Sequence, residues 1–217
     1  MTLATYADLQ DRIQAKFDDA VILSDAVLVD CIAMGESIIN KDKRLLGSDI
    51  ESTATDLSIS SQSTSLPSDF RGQRRLYLDK DPNKPLTFYP PADFWSRHGG
   101  SQTGTPEIFT VEANNLIVAP VPASAETGKI LYFQNSDIAS SVPALFTKNP
   151  QLYVFAASVF AADELDDDAQ VTKCAAMYDQ LADTYEKGDK YERFPSGQLV
   201  QRHDVNPNFA TNLRGTA

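Results

Sequence analysis

NPQLYVFAASVFAADELDDDAQVTKCAAMYDQLADTYEKGDKYE, residues 149–192, reads as two antiparallel helices joined by an acidic corner. Asn149 before Pro150 has the form of an N-cap followed by a first-turn proline, whose missing N–H would have been unpaired anyway. The spacing predicts a first helix that is apolar nearly all round, with Leu152, Tyr153, Val154, Phe155, Val159, Phe160 and intervening alanines. A helix without a polar face is buried in its own protomer or against a neighbouring subunit. Asp163 to Asp168 then places five carboxylates in six positions, which turns the chain out into water. A second helix resumes near Ala169. Val171, Cys174, Ala175, Tyr178, Leu181, Ala182 and Tyr185 recur every three or four residues, so one stripe faces inward and the acidic side faces solvent.

Two more helices precede this pair. Thr5 and Asp8 resemble a capping box, and Tyr6, Leu9, Ile13 and Phe17 mark one side of the helix that follows. After a break at 18–23, Ser24 or Asp25 caps a second helix with a wide stripe of Val27, Leu28, Cys31, Ile32, Gly35, Ile38 and Ile39. Gly35 costs about 1 kcal/mol against alanine in a helix interior, which points to close approach of another helix. Lys41, Lys43 and Arg44 suit the negative end of the helix dipole.

Between the helical ends the texture changes. Ile50 to Ile59 is Ser/Thr-rich without helical spacing and reads as a β-ribbon. Further strands are expected at 74–78, 86–89, 108–113, 116–119 and 129–134, with a tight turn at Asn114-Asn115. Ala92 to His98 reads as a short helix carrying Trp95, and Gly99 to Pro106 as a flexible loop. Neither helical end buries its apolar face alone. The expected fold class is therefore α+β: a discontinuous helical bundle from residues 1–44 and 145–192, an inserted small antiparallel β domain at 45–144, and an extended C-terminal arm at 193–217. The arm is polar and turn-rich, a composition that needs a partner to order it.

Composition narrows function. The 217 residues carry a net charge of −11 and a pI near 4.5, which argues against a basic nucleic-acid-binding surface. Cys31 and Cys174 fall on apolar stripes and read as core residues in a reducing compartment. The sequence holds no apolar run near the roughly 20 residues of a membrane span and no basic, apolar leader pattern, so no membrane is expected.

Catalytic patterns are missing. His98 and His203 have no partners at ligand spacing, and 163–168 lacks the alternating ligands, central glycine and closing glutamate of a calcium loop. The 99–106 loop lacks the Lys-Ser/Thr of a phosphate loop, and the serines at 58–65 lack a nucleophile elbow. The expectation is a protein that is no enzyme and uses no cofactor and no metal. Arg71, Arg74 and Arg75 form the one basic cluster, and pairing with acidic surface of their own or a neighbouring chain is favoured over contact with DNA.

Four stretches in order carry a resemblance: GESIINKDKRL (35–45), LPSDFRGQRRLYLDKDPNKPLTFYPPADFW (66–95), TGTPEIFTVEANNLIVAPVPA (103–123) and the run from Lys148 to Asp189. Together they make the chain similar to the phage head-to-tail adaptor, or connector, proteins of short-tailed phages, which are tail tubular protein A-like. The resemblance implies a structural virion protein at the head–tail junction, assembled in the host cytoplasm. It implies a homo-oligomeric ring, a dodecamer, that docks on the portal protein and receives the tail nozzle, with double-stranded DNA passing its channel without specific binding. On that reading Phe194, Leu199, Val200, Arg202, Val205, Phe209 and Leu213 of the arm meet the portal, and Arg71, Arg74 and Arg75 lie at the ring interface. The alternative is a tail-associated β module presenting Trp95, Phe88 and Tyr89 to a carbohydrate or host-surface ligand. It is disfavoured because residues 88 and 89 point to opposite faces of a strand.

Overall fold

The computed structural model describes residues 3–17, 23–98 and 102–193. The fold is mixed α+β, with six α-helices and two small sheets among these residues. Helix α1 (Tyr6–Gln14) opens on a complete capping box in which Asp8 takes the part usually played by glutamate. Helix α2 (Asp25–Lys41) starts from Ser24, whose hydroxyl accepts from Val27 N–H. Late in the chain come α4 (Ala144–Lys148), α5 (Pro150–Asp163) and α6 (Asp168–Arg193).

One apolar cluster draws on both ends of the sequence. Leu9 and Ile13 of α1, Leu28 and Ile32 of α2, Phe146 of α4, Tyr153 and Ala157 of α5, and Tyr178 of α6 all belong to it. The contact between α2 and α5 is close because Gly35 has no side chain. A Cβ there would stand 2.7 Å from the backbone nitrogen of Ala157 and 3.0 Å from the carbonyl carbon of Ala156. The sequence expectation of a helix approaching at Gly35 is met, and the partner is the alanine face of α5.

Three helical details depart from expectation. The Asn149 side chain makes no capping bond. Residue 149 also ends α4, so its N–H goes to Leu145 O at 2.8 Å and its backbone is set by two helices at once. That short helix was not foreseen; six residues between Pro143 and Pro150 show no periodicity. Around α5, Phe155, Val159 and Phe160 are half-buried rather than buried, with the Lys16 ammonium 3.9 Å from the centre of the Phe155 ring. At the acidic corner, Asp166 adopts a left-handed φ of 53° and the Asp167 carboxylate accepts from Gln170 N–H at 3.0 Å, which caps α6.

The middle of the chain builds a sandwich. Strands β1 (Glu51–Ile59), β3 (Phe70–Leu78) and β7 (Glu126–Gln134) form one sheet in the order β1-β7-β3, with β7 antiparallel to both neighbours. Strands β2 (Ser63–Ser65), β4 (Thr87–Phe88), β5 (Ile108–Glu112) and β6 (Asn115–Ala119) form the second, in the order β2-β6-β5-β4. Ile59, Leu76, Ile130 and Tyr132 of the first sheet bury against Phe109, Leu116 and Val118 of the second. Helix α3 (Pro91–His98) covers the far face of the second sheet, where Phe94 packs on Ile117 and Ala119.

Here too the details differ. The expected strand at 86–89 shrinks to two residues, and β4 pairs with β5 in parallel. The turn between β5 and β6 is centred on Ala113-Asn114, one residue before the expected Asn114-Asn115. Both adopt left-handed φ values, 47° and 59°, and Glu112 pairs with Asn115. Loop residues 99–101 lie outside the described residues. The rest of that loop is tied down rather than flexible, since Gly104 N–H donates to Val121 O at 2.8 Å.

Candidate functional site

The polar chemistry of this chain concentrates where the sandwich meets the helices. As β7 ends, Ser136 and Ile138 dock onto α2. The Asn40 side chain brackets residue 136, accepting from Ser136 N–H at 2.7 Å and donating to Ser136 O at 3.0 Å. One Glu36 carboxylate oxygen accepts from the Ser136 hydroxyl at 3.0 Å and from Ile138 N–H at 2.8 Å. The Tyr153 hydroxyl of α5 lies 2.6 Å from the Ser136 hydroxyl. Burial pushes the Glu36 carboxyl above the ordinary glutamate range even though Ile138 and Ser136 donate to it. Burial likewise pushes the Tyr153 phenol well above its ordinary value.

A second node sits at the other connection, where a 3₁₀ turn (Lys43–Leu45) follows α2. Arg44 reaches three carboxylates: Asp42 at 2.7 Å, Asp183 at 2.8 Å and Asp179 at 2.9 Å. The sequence pointed to Arg44 as a partner for the helix dipole. The structure instead commits it to α6, and the hydrogen bonds it donates to Asp42, Asp183 and Asp179 raise its pKa further. Asp42 also accepts from the Tyr178 hydroxyl at 3.0 Å. Burial would raise the Asp42 carboxyl, but the bonds donated by Arg44 and Tyr178 outweigh it and hold the group below the usual aspartate range.

A third polar group lies beside a second 3₁₀ turn (Ser48–Ile50). Asp49 pairs with Lys148 and accepts from the Tyr185 hydroxyl at 3.1 Å, and Asp189 accepts from Ser48 N–H at 2.9 Å. Asp49, Lys148, Tyr185 and Asp189 border a cleft of about 440 Å³ between α6 and the start of α5. Each charge that lines it has a partner within the chain, so the cleft has the character of a braced joint.

The three candidate arginines of the sequence all lie on β3 and face different surroundings. Arg71 is half-buried and donates to Asp42 O at 2.9 Å, which ties β3 to the second node. Arg74 pairs with Glu51 at 3.2 Å and lies over the Phe133 ring. Arg75 is exposed, donates to Pro82 O at 2.7 Å and stacks near Tyr77. The arm residues Phe194, Leu199, Val200, Arg202, Val205, Phe209 and Leu213 fall outside the described residues, as does His203. Cys31 and Cys174 are buried and unbonded to each other, and Lys16 donates to the Cys174 sulfur at 3.1 Å.

The aromatic residues do not form one platform. Phe88 packs edge-on against Phe109 at the sandwich face, while Tyr89 joins the cluster under α3. Trp95, on α3, donates its indole N–H to Glu112 at 2.9 Å. Among the described residues no group of three His, Cys, Asp or Glu could hold a metal ion, and no helix is long and apolar enough to cross a membrane.

Sequence reasoning missed Glu36, Asn40, Ser136 and Tyr153 as one unit. Ser136 is 100 residues from Glu36, and a lone glutamate on an amphipathic helix gives no sign of its partner. The sole local signal is that the position faces inward beside Gly35.

No curated protein matches the chain. A family does. The SU10 adaptor protein family matches residues 4–202, through the α2–α5 contact, the sandwich and both polar nodes. The chain therefore belongs to the SU10 adaptor protein family and is a structural phage protein, a head-to-tail adaptor.

Proposed function

We propose that this adaptor closes into a ring, a dodecamer, between the portal protein and the tail nozzle, with double-stranded DNA passing through its channel. The observation that carries this reading is the family match over residues 4–202. The geometry supports it. Helices from both ends of the described chain share one apolar cluster, and in this reading residues 1–44 and 145–192 are one helical unit, 45–144 its insert and 193–217 the tether. The two polar nodes brace the insert against the helices at both chain crossings, as suits a part that transmits load between neighbours. A net charge of −11 suits a passage that DNA must cross without sticking, because like charge opposes phosphate binding.

In this reading Phe194, Leu199, Val200, Arg202, Val205, Phe209 and Leu213 grip the portal. Arg74 and Arg75 face the next protomer in the ring, while Arg71 steadies β3 from behind. The test is electron microscopy of the full chain mixed with its portal, beside a chain lacking residues 194–217. The full chain should give a ring on the portal. The shortened chain should keep the same circular dichroism and lose attachment. Attachment by the shortened chain would remove the arm from the interface, and a full chain that never joins the portal would overturn the adaptor ring.

A further inference from the structure

The β1-β7-β3 sheet ends in two open edges of opposite character. Strand β1 pairs with β7 on one side only. Among the described residues no backbone hydrogen bond from another segment reaches its outer side between Ser52 and Leu57. Strand β3 is likewise paired with β7 on one side. Its far end is covered, because Leu86 N–H donates to Leu76 O and Pro85 bridges Tyr77, but Arg71 to Arg75 stay open.

Each edge carries an irregularity at or beside an exposed charge. The β1–β7 register shifts between Ala54 and Leu57, and Asp56 within that bulge has a φ of 59°. A left-handed non-glycine residue is uncommon and is kept where the surroundings demand it. Asp56 is exposed, and its charge acts on the Lys129 ammonium of β7, which pairs with Asp79 at 2.8 Å. On the other edge the β3–β7 register shifts between Gln73 and Arg75, which leaves Arg74 in the bulge, paired with Glu51 of its own chain. Arg75 follows it opposite Leu131 and is exposed, with a carbonyl as its hydrogen-bond acceptor. Bulges re-aim side chains at sheet edges. Bulged, charged edges also repel like edges, which blocks indiscriminate pairing.

We propose that the two edges meet across protomers, with the β3 edge of one chain lying along the β1 edge of the next and Arg75 facing Asp56. This inference rests on the ring reading above and names its seam. Both strands run antiparallel to β7, so they run parallel to each other. Rotation about a ring axis preserves that sense, so a neighbour's β1 arrives parallel to β3. The contact is heterologous, as a ring requires, because an acidic edge rejects another acidic edge and accepts a basic one.

The experiment compares wild type, Asp56→Arg, Arg75→Glu and the double variant, each as the full chain, alone and mixed with the portal. Ring mass is read by native mass spectrometry, and circular dichroism and the melting curve of each monomer confirm folding. Each single reversal should lower the ring fraction at least tenfold, and the double variant should recover most of it, because the pair is re-formed with its signs exchanged. Single variants that form rings as wild type does overturn the seam while leaving the ring reading intact. So does a folded double variant no better than the singles. A wild-type chain that forms no ring in either condition removes the ring reading and the seam with it.

Discussion

The two nodes that join the sandwich to the helices do the same mechanical work by opposite chemistry. The Glu36 node is compact and half-buried: one carboxylate, two hydroxyls and an amide, backed by the buried Tyr153 and next to a helix contact with no room for a methyl group. The Arg44 node is open. Its guanidinium gathers Asp42, at 10% side-chain exposure, but also Asp179 and Asp183, at 66% and 55%. The drier joint depends on fit and on satisfied hydrogen bonds, whereas the wetter joint depends on charge and is screened by salt. The α2 side of the molecule is therefore intolerant of volume, and the α6 side is sensitive to ionic conditions.

The largest effect should come from volume at the dry joint. Gly35→Ala forces a Cβ against the backbone of Ala156 and Ala157, which cannot yield as a flexible side chain would. Overpacking of this kind should destabilise by about 3 kcal/mol, enough to offset easily the helix propensity that alanine gains. Urea unfolding checks it, and an unchanged or raised midpoint would mean that α2 and α5 are not in backbone contact at residue 35.

Arg44→Met comes next. It keeps the aliphatic stem and leaves three carboxylates without their cation, at a cost of about 2 kcal/mol in low salt, since hydrogen bonds to charged groups run near that value. In about 1 M salt, where the screening length falls to roughly 3 Å, the cost should shrink. Tyr153→Phe, at the dry joint, removes one hydroxyl and should cost about 1 kcal/mol, independent of salt. Equal salt dependence of the two variants would erase the contrast between the joints.

Much of the helical frame was legible because its signals are local. The capping box at Thr5, the cap at Ser24, the stripe on α6 and the glycine at position 35 each act within a turn or two of chain. The sheet pairing was not legible in the same way. Strand β7 lies between β1 and β3, partners it meets only after the chain has passed through the whole insert, and no propensity encodes that choice. The β5–β6 turn was misplaced by one residue because asparagine favours left-handed backbone, yet register put Ala113 there as well. At the joints, Arg44 could be read as a charge near a helix end but not as the partner of α6. Glu36 could be read only as a position beside Gly35, since its role exists only when residues 136 and 153 arrive.

The finest test of the comparison is the sign of the pH dependence. Asp42 is held below the usual aspartate range, so its share of stability is present above the unfolded value of about 3.9 and is lost as pH falls through the folded one. Glu36 is held above the usual glutamate range, so its share is present below the unfolded value of about 4.3 and is lost as pH rises through the folded one. Asp42→Asn should accordingly flatten the acid limb of the stability curve. Glu36→Gln, which preserves the acceptor that Ile138 and Ser136 use, should gain on wild type as pH climbs from about 4 toward neutrality. Unfolding free energies measured in steps across that range decide the matter. Two variants shifting the curve in the same direction would mean that the carboxylates sit in like surroundings, and the distinction between a dry and a wet joint would fail at its chemical root.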